Sequence, residues 1–183
     1  MAQKNGKDIK APVKNVFLTG FMCAGKTTVG KMLARRLGLP LADSDALVKR
    51  RAGRTIAELV EKRGLAAFRK KEAACVRELA QGRGRVVALG GGVYPSRRWE
   101  KTLAAGGTTV FLYCPWRELN KRLESARGPR PLLKGSWAAA GRRAGKLYAR
   151  RLGFYRRADI TVNTSGLTPA RTAALIIKKL AKK

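Results

Sequence analysis

The sequence VFLTGFMCAGKT, from Val16 to Thr27, decides the fold of this 183-residue chain. It begins with an apolar run typical of a buried strand, and it leads into an amphipathic stretch, Thr27 to Leu37, that indicates a helix. Between them lies the pattern G-x-x-x-x-G-K-[ST], in which successive backbone N–H groups surround the phosphates of a nucleotide. The helix start behind the loop favours anions as well. The order strand, loop, helix therefore predicts a site for a nucleoside triphosphate.

Individual residues of this loop have predictable chemistry. Lys26 brings a positive charge to the β- and γ-phosphates, and the Thr27 hydroxyl is placed to bind Mg²⁺. A glycine turn with no nucleotide to bind would need neither Gly25-Lys26-Thr27 nor this spacing. The other predicted nucleotide contacts in the loop are Gly20, Cys23, Ala24, Gly25 and Thr28.

The composition restricts the chemistry that is available. The chain has no histidine, so histidine acid–base catalysis and Cys/His zinc sites are excluded. A proton acceptor must be a carboxylate, a cysteine, a lysine or the substrate itself. Three widely spaced cysteines are typical of reduced thiols in a cytoplasm. No apolar run is long enough to span a membrane. We predict a cytoplasmic monomer without a membrane segment.

The charge is strongly basic, with 41 Lys and Arg against 11 Asp and Glu, a formal net charge of +30. Beyond Glu124 the only carboxylate side chain is Asp159. This balance favours anionic ligands and would attract nucleic acid by non-specific contacts with phosphates. A generally basic, solvated surface explains it equally well. Charge alone does not identify the ligand.

Short apolar runs alternate with helical patterns along the chain, which predicts parallel strands joined by helices. The fold class is therefore α/β, a three-layer α/β/α sandwich around a central five-stranded parallel sheet. Residues 1–12 are predicted to be a disordered basic tail, and residues 13–183 a single domain. The predicted strands are 13–19, 39–42, 85–89, 108–113 and 160–163. The predicted helices are 26–37, 44–51, 55–63, 66–81, 97–105, 116–125, 136–152 and 169–180.

Asp43-Ser44-Asp45 follows the second predicted strand, in a protein with few acidic residues. Ligands of open parallel sheets gather at the carboxyl ends of strands, so both carboxylates should face the phosphate loop. Alternation along an extended segment points Asp43 and Asp45 the same way, with Ser44 opposite. One carboxylate would hold Mg²⁺ through water, and the other would engage the hydroxyl that accepts the phosphoryl group. The alternative is that an aspartate of this pair, chiefly Asp45, is only a helix N-cap.

Gly90-Gly91-Gly92 follows another predicted strand, and three glycines let the backbone approach a ligand closely. Arg69 lies in a helical pattern, where its guanidinium would bind a carboxylate through two hydrogen bonds. Glu72, about one turn later, would orient that guanidinium. A loose turn and a solvated arginine are the simpler alternatives for these two features.

Residues 128–135, GPRPLLKG, separate two predicted helices. Their glycines and prolines suit a mobile lid, about residues 126–137, that closes over bound nucleotide. Arg130 would then reach the γ-phosphate and stabilise charge on the transferring group. Arg151 comes four residues before Tyr155, near the end of the following helix. Either arginine is alternatively a solvated surface charge.

Taken together, these segments resemble shikimate kinase, a P-loop kinase with a nucleoside-monophosphate-kinase-like fold. The matching pieces run over nearly the whole chain, from about residue 15 to the final helix. The glycine loop alone would fit many nucleotide-binding families, whereas the later segments in this order are far more specific. In order, the matching segments are GFMCAGKTT, DSD, GRTIAEL, FRKKE, LGGG, RPLL and R-x-x-x-Y-x-x-A-D.

The resemblance implies transfer of the γ-phosphoryl group of ATP to the 3-hydroxyl of shikimate, with Mg²⁺. Asp45 would bind shikimate hydroxyls and orient or deprotonate the nucleophile, while Arg69 and Arg151 would pair with the carboxylate. Glu72 would hold Arg69, and Gly91, flanked by Gly90 and Gly92, would contact the ring hydroxyls. The transferring phosphate would meet Lys26 and Arg130, and the metal would meet Thr27 and Asp43.

The adenine contacts follow least directly from the resemblance. Arg127 is the candidate for stacking on adenine, with Arg122 as the alternative, and Pro169 lies at the expected spacing. The sequence departs from the family pattern at Cys23, where glycine is usual, and at Asn163, where aspartate is common. Lys49 and Leu65 each replace an acidic residue. Two rival functions stay open: another small-metabolite kinase, such as a gluconate or nucleotide kinase, and a non-catalytic basic nucleic-acid-binding module.

Overall fold

A five-stranded, fully parallel sheet forms the centre of the protein, in the order β2-β3-β1-β4-β5. Every residue of the central strand is buried, because helices cover both faces of the sheet. This arrangement confirms the predicted α/β sandwich with five parallel strands. The strands are β1 (Asn15–Thr19), β2 (Leu41–Asp43), β3 (Val86–Ala88), β4 (Gly107–Tyr113) and β5 (Ile160–Asn163).

Seven helices surround the sheet in the part of the chain that the computed structural model describes, residues 14–94, 97–126 and 135–183. Among them α1 packs on α7, α3 on α4, and α5 on α6. None of the helices in these ranges is both long and apolar enough to cross a membrane. Their bounds are α1 (Lys26–Leu37), α2 (Ser44–Ala52), α3 (Ile56–Gln81), α4 (Arg97–Gly106), α5 (Trp116–Ser125), α6 (Trp137–Tyr155) and α7 (Pro169–Leu180).

Several predictions fall outside the described residues. The tail, residues 1–12, is one of them. Most of the predicted lid is another, because residues 127–134 contain both Arg127 and Arg130. The roles expected of those two arginines therefore stay predictions.

Two element boundaries differ from the predicted ones in ways that affect the site. Strand β2 extends to Asp43 rather than ending at residue 42. The break predicted between helices 55–63 and 66–81 is present, because α3 is interrupted at Gly64 by a non-helical backbone with φ 77°. Helix α6 continues to Tyr155 rather than ending at residue 152. A helix accommodates Gly153 at modest cost, so this glycine does not end α6. The longer helix brings Tyr155 toward the sheet.

The strand order positions the site. β3 lies between β1 and β2, so the carboxyl ends of these three strands are neighbours. The loop that follows β1 is residues 20–25, the turn after β2 begins at Asp43, and the triple glycine follows β3. In open parallel sheets, ligands bind in the crevice beyond such strand ends. The three segments that the sequence singled out therefore meet at one edge.

Candidate active site

The glycine loop has the backbone that its two glycines allow. Gly20 and Gly25 adopt φ values of 142° and 92°, which L-residues with a side chain rarely reach. A Cβ on Gly20 would also lie 2.9 Å from the carbonyl oxygen of Leu112. Cys23, with φ 60°, is the one non-glycine residue with a positive φ in the described part of the chain. The loop is therefore a tightly specified turn at the N-terminus of α1.

Lys26 folds back over this loop. Its ammonium group donates hydrogen bonds to the carbonyl oxygens of Gly20 (2.9 Å) and Phe21 (3.0 Å). Burial lowers the pKa of Lys26 to about 8, although the negative charges of Asp45 and Asp43 oppose that shift. A phosphate beside the ammonium would favour its charged form. Lys26 is thus a cation whose charge depends on the pH near neutrality.

We expect ADP affinity to weaken as the pH rises through the pKa of Lys26. The pKa of Lys26 is lowered in the folded protein, so the nucleotide-free protein loses this positive charge above about pH 8. In the ADP complex, the neighbouring phosphate keeps Lys26 charged. The dissociation constant of ADP should rise roughly tenfold between about pH 7.5 and pH 9, because most of the free protein must then take up a proton to bind. Calorimetric titrations across this range would measure it. A flat profile would contradict the assignment, and Lys31→Met, at an exposed position of α1, should keep the wild-type profile.

Asp43 joins the glycine loop to the start of α2. One of its oxygens, Oδ2, accepts a hydrogen bond from the Thr27 hydroxyl at 2.8 Å. The other, Oδ1, accepts from the backbone N–H groups of Asp45 (2.9 Å) and Ala46 (3.1 Å). Asp43 is therefore the N-cap of α2 as well as a neighbour of the phosphate loop.

This geometry corrects the argument made from the sequence for Asp43 and Asp45. The extended backbone ends at Asp43, and Ser44 and Asp45 form the first turn of a helix, so alternation along a strand does not apply. Ser44 does not point away from the site either: its buried hydroxyl accepts a hydrogen bond from Gly90 N–H at 2.8 Å. Both carboxylates nevertheless lie near Lys26, Asp43 from the N-cap position of α2 and Asp45 from its first turn.

The oxygen atoms of Thr27 and Asp43 suit Mg²⁺. They are hard donors that already lie 2.8 Å apart. Mg²⁺ commonly takes one or two protein oxygens and completes its shell with water and substrate phosphates. The described residues contain no cluster of three or more Asp, Glu, Cys or His side chains. A metal held here would therefore depend on nucleotide and water for most of its ligands.

Asp45 is the carboxylate closest to the triple glycine. Burial raises its pKa above the ordinary aspartate value, and the negative charge of Asp43 adds to the shift, while Lys26 opposes it. A Cβ built on Gly90 would lie 2.5 Å from Asp45 Oδ1 and 3.1 Å from Glu72 Oε1. Gly90 therefore leaves room for two carboxylates that converge on the loop backbone.

The other two glycines have different neighbours. The Gly91 carbonyl oxygen accepts hydrogen bonds from Arg151 Nη1 at 2.9 Å and from the Tyr155 hydroxyl at 2.6 Å. A Cβ on Gly92 would lie 2.6 Å and 2.8 Å from the two terminal nitrogens of Arg69. Gly90 and Gly92 thus each leave room for a functional side chain, which a loose turn would not require, while Gly91 contacts α6 through its carbonyl oxygen.

Arg69 is held by Glu72, as the sequence predicted. The Arg69 Nη1 to Glu72 Oε2 distance is 2.5 Å, and the guanidinium also lies over the Phe68 ring, 5.0 Å from its centre. Glu72 is buried, and this burial raises its pKa, while Arg69 partly offsets the shift. The Arg69 side chain is 41% exposed. The arginine is therefore fixed from one side and open to an anion from the other.

Gly92→Ala is expected to weaken binding of a carboxylate substrate without unfolding the protein. The new methyl group would occupy the space of the Arg69 guanidinium, and the end of a long side chain can move where backbone cannot. Loss of a charge-assisted contact of this kind, about 1.5–3 kcal/mol, predicts a KM for that substrate about ten- to hundredfold higher. Steady-state kinetics with ATP held saturating would measure it.

Gly153→Ala is the matched control, because no atom lies within 4 Å of a Cβ at that position in α6. Alanine there should leave both KM values unchanged and slightly stabilise the helix. An unchanged substrate KM in Gly92→Ala would show that Arg69 does not bind the carboxylate.

A cleft of about 330 Å³ opens between the glycine loop, the two aspartates and Gly91, and neither Arg69 nor Arg151 is among the residues that line it. Pro169, at the first position of α7, is not among the residues that line it. Arg122, the alternative candidate for adenine, pairs with Glu118 at 3.2 Å. The cleft is lined by Met22, Cys23, Gly25, Lys26, Thr27, Thr28, Asp43, Asp45, Leu89 and Gly91.

Sequence reasoning predicts no site role for Ser44 or Tyr155. Strand alternation points Ser44 away from the site, and Tyr155 belongs only to the motif that contains Arg151. The four-residue spacing of Arg151 and Tyr155 was the available signal, because it puts both on one face of a helix. Their shared partner, Gly91, lies 60 or more positions earlier in the chain, so no local pattern reveals the contact.

Strand order, glycine loop and paired carboxylates together define a P-loop kinase with a nucleoside-monophosphate-kinase-like fold. Within that class, the family model described as shikimate kinase matches residues 22–181. The chain belongs to the shikimate kinase family.

Individual relatives agree with this membership. The chain is 42% identical to the shikimate kinase of Geobacter sulfurreducens over 153 residues, covering 84% of this chain and 83% of that protein. It is 38% identical to the enzyme of Chlorobium chlorochromatii over 171 residues, or 90% of each chain. The solved shikimate kinase of Acinetobacter baumannii in complex with shikimate superimposes with a TM-score of 0.87, at 32% identity over 94% of this chain and 95% of that one.

More distant kinases share only the architecture. A gluconokinase from Sinorhizobium meliloti matches with a TM-score of 0.58 at 18% identity, over 93% of this chain and 94% of that one. Such a likeness shows the fold alone. It gives no support to the gluconate-kinase alternative beyond the shared P-loop architecture.

Proposed function

We propose that this ATP-dependent phosphotransferase transfers the γ-phosphoryl group of ATP to the 3-hydroxyl of shikimate, giving shikimate 3-phosphate and ADP. The chief support is one juxtaposition: Lys26 and Asp45 face each other across the cleft at the glycine loop, and the Arg69–Glu72 pair lies beside the same triple glycine. In this arrangement Asp45, which is close enough to feel the charges of both Lys26 and Arg69, would lie between a phosphate site and a carboxylate site.

The phosphate half of the reaction depends on charge that is already in place. The loop amides and the start of α1 would surround the β-phosphate, and the Lys26 ammonium would leave the carbonyls of Gly20 and Phe21 for phosphate oxygens. Mg²⁺, when bound beside Thr27 and Asp43, supplies positive charge to the β- and γ-phosphates. Phosphoryl transfer needs mainly such positioning and charge stabilisation.

The acceptor half depends on Asp45 and the arginines. A raised pKa makes Asp45 a better acceptor for the hydroxyl proton than an ordinary aspartate. Arg69 and Arg151 would hold the carboxylate of shikimate, and Glu72 would keep Arg69 oriented. The backbone of Gly90, Gly91 and Gly92 would contact the ring hydroxyls. Together these contacts would point the 3-hydroxyl at the γ-phosphate.

The direct test is the reaction itself. Purified protein with ATP, Mg²⁺ and shikimate should release ADP in step with the formation of shikimate 3-phosphate, followed by ³¹P NMR. Gluconate and nucleoside monophosphates are the controls, since they are acceptors of the rival kinases. Faster ADP release with either of them than with shikimate would overturn the proposal.

The nucleic-acid alternative rests on charge alone. A non-catalytic module would not need the Asp45 and Arg69–Glu72 arrangement, and it would bind RNA or DNA with steep salt dependence but without ATP turnover. The single domain of residues 13–183, the cytoplasmic location, the monomeric state and the nucleotide contacts of Arg127, Arg130 and Pro169 also stay proposals.

A further inference from the structure

Tyr155 is the last residue of α6 and is completely buried. Its ring stacks on Phe111 of β4, with the ring centres 5.3 Å apart and the planes 22° apart. Burial raises the pKa of Tyr155 to about 12. The hydroxyl therefore stays protonated over the working pH range and remains a hydrogen-bond donor. Its position is fixed by packing on the sheet rather than by the glycine loop.

The hydroxyl of Tyr155 and the guanidinium of Arg151 share one acceptor. Both donate to the carbonyl oxygen of Gly91, at 2.6 Å and 2.9 Å. A carbonyl oxygen has two lone pairs, so these two donors saturate it. The two side chains lie one helical turn apart on α6. The last turn of α6 thus donates two hydrogen bonds to the middle residue of the triple glycine.

These two hydrogen bonds determine the orientation of the Gly91–Gly92 peptide. A trans peptide is planar, so the C=O of Gly91 and the N–H of Gly92 point in opposite directions. Since the carbonyl points at α6, the Gly92 amide is turned away from that helix. The loop is a turn closed by the Val93 N–H, which donates to the Gly90 carbonyl oxygen at 3.0 Å. Glycines at the two central positions permit either orientation of the peptide between them. The two donors from α6 favour the observed orientation.

We propose that Tyr155 is a positioning residue for the acceptor substrate. Its hydroxyl holds the Gly91–Gly92 peptide in one orientation. It also restricts the movement of the Arg151 side chain, because both side chains donate to the same oxygen. Arg151 then keeps its remaining guanidinium N–H groups for the substrate carboxylate. This inference rests on the proposed function, since the ligand that the peptide and Arg151 would face is shikimate.

Tyr155→Phe tests the proposal with little disturbance of the core, because the ring and its stacking on Phe111 remain. Without the hydroxyl, Arg151 alone of the two donors holds the Gly91 carbonyl oxygen, so the peptide is held less firmly. We expect the shikimate KM to rise by about three- to tenfold, the equivalent of one hydrogen bond. The ATP KM should not change, and kcat should stay within about twofold.

Tyr148→Phe is the matched control. Tyr148 lies on the same helix, is also buried, and donates to a backbone carbonyl, that of Cys114, at 3.0 Å. Burial raises the pKa of Tyr148 to about 12 as well. Both variants therefore lose the same type of buried hydrogen bond and should show similar decreases in melting temperature. Only Tyr155→Phe should raise the shikimate KM.

The outcomes separate cleanly. An unchanged shikimate KM in Tyr155→Phe would overturn the positioning role, and so would an equal rise in Tyr148→Phe, which would reveal a merely structural effect. Calorimetric titration with shikimate counts only folded molecules, so it gives the affinity even if part of a variant fails to fold. Failure of the wild-type protein to phosphorylate shikimate would instead contradict the proposed function.

Discussion

Asp45→Asn is expected to lower kcat for shikimate phosphorylation by about 10²- to 10⁴-fold, the usual range for loss of a general base. Asparagine preserves the shape of the side chain but cannot accept the hydroxyl proton. Few other groups could accept the proton in place of Asp45, since histidine is absent and Glu72 is paired with Arg69. ADP affinity should stay within about twofold, because loop amides and Lys26 supply that binding. Steady-state kinetics and ADP titration would measure the two effects.

The pH profile gives a second readout for Asp45. In the wild-type protein, kcat/KM should fall as the pH drops through the raised pKa of this carboxyl, because protonated Asp45 cannot act as a base. That acidic decline should vanish in Asp45→Asn. The control is Glu78→Gln, which alters a carboxylate paired with Arg51 away from the cleft. Near-normal turnover in Asp45→Asn would rule out its role as the base.

The sequence predicted the fold well because the decisive signals are local. A strand, a glycine loop and a helix follow one another within Asn15–Leu37, and their geometry depends on residues that are close in the chain. The difference between the predicted and the observed backbone at Asp43 has a physical cause. β2 ends where its pairing with β3 ends, at Asp43 opposite Ala88, and this pairing is set by contacts more than forty residues away. A local pattern cannot tell whether Asp43 or Asp45 caps the next helix.

The candidate site shows the same division. Arg69 and Glu72 were recognisable as a pair because they lie three residues apart on one helix. The hydrogen bonds of Gly90 to Ser44 and of Gly91 to Tyr155 join segments 46 and 64 residues apart. They exist only after the sheet has assembled. Sequence reasoning thus found the groups expected to perform the chemistry and missed the contacts that hold them in place.

Lys26→Met should reduce kcat/KM for ATP by about 10²- to 10³-fold, the range found when one donor to developing charge is removed. Methionine keeps much of the length and apolar character of the side chain, so the loss is chiefly one of charge. It also removes the hydrogen bonds to the carbonyls of Gly20 and Phe21. The loop should therefore become less ordered in the free protein, and ADP should bind more weakly.

Lys31→Met is the control for this substitution. Lys31 lies on the same helix α1 but is exposed, so its loss should change kcat/KM by less than about twofold, as for most surface substitutions. Both variants remove one positive charge from a protein with a net charge of +30. Equal effects would mean that overall charge, rather than the position of Lys26, governs nucleotide binding.

The two carboxylate oxygens of Asp43 have different partners, and this affects how substitutions at Asp43 are interpreted. One oxygen secures the start of α2 and the other meets the hydroxyl of Thr27, so the group is pre-organised before any cation arrives. Truncating it would remove the N-cap of α2 and the predicted Mg²⁺ contact in one step. Activity lost at this position would mix the two causes. Measuring activity of the unsubstituted protein as a function of Mg²⁺ and, separately, Mn²⁺ concentration would isolate the contribution of the metal to that activity.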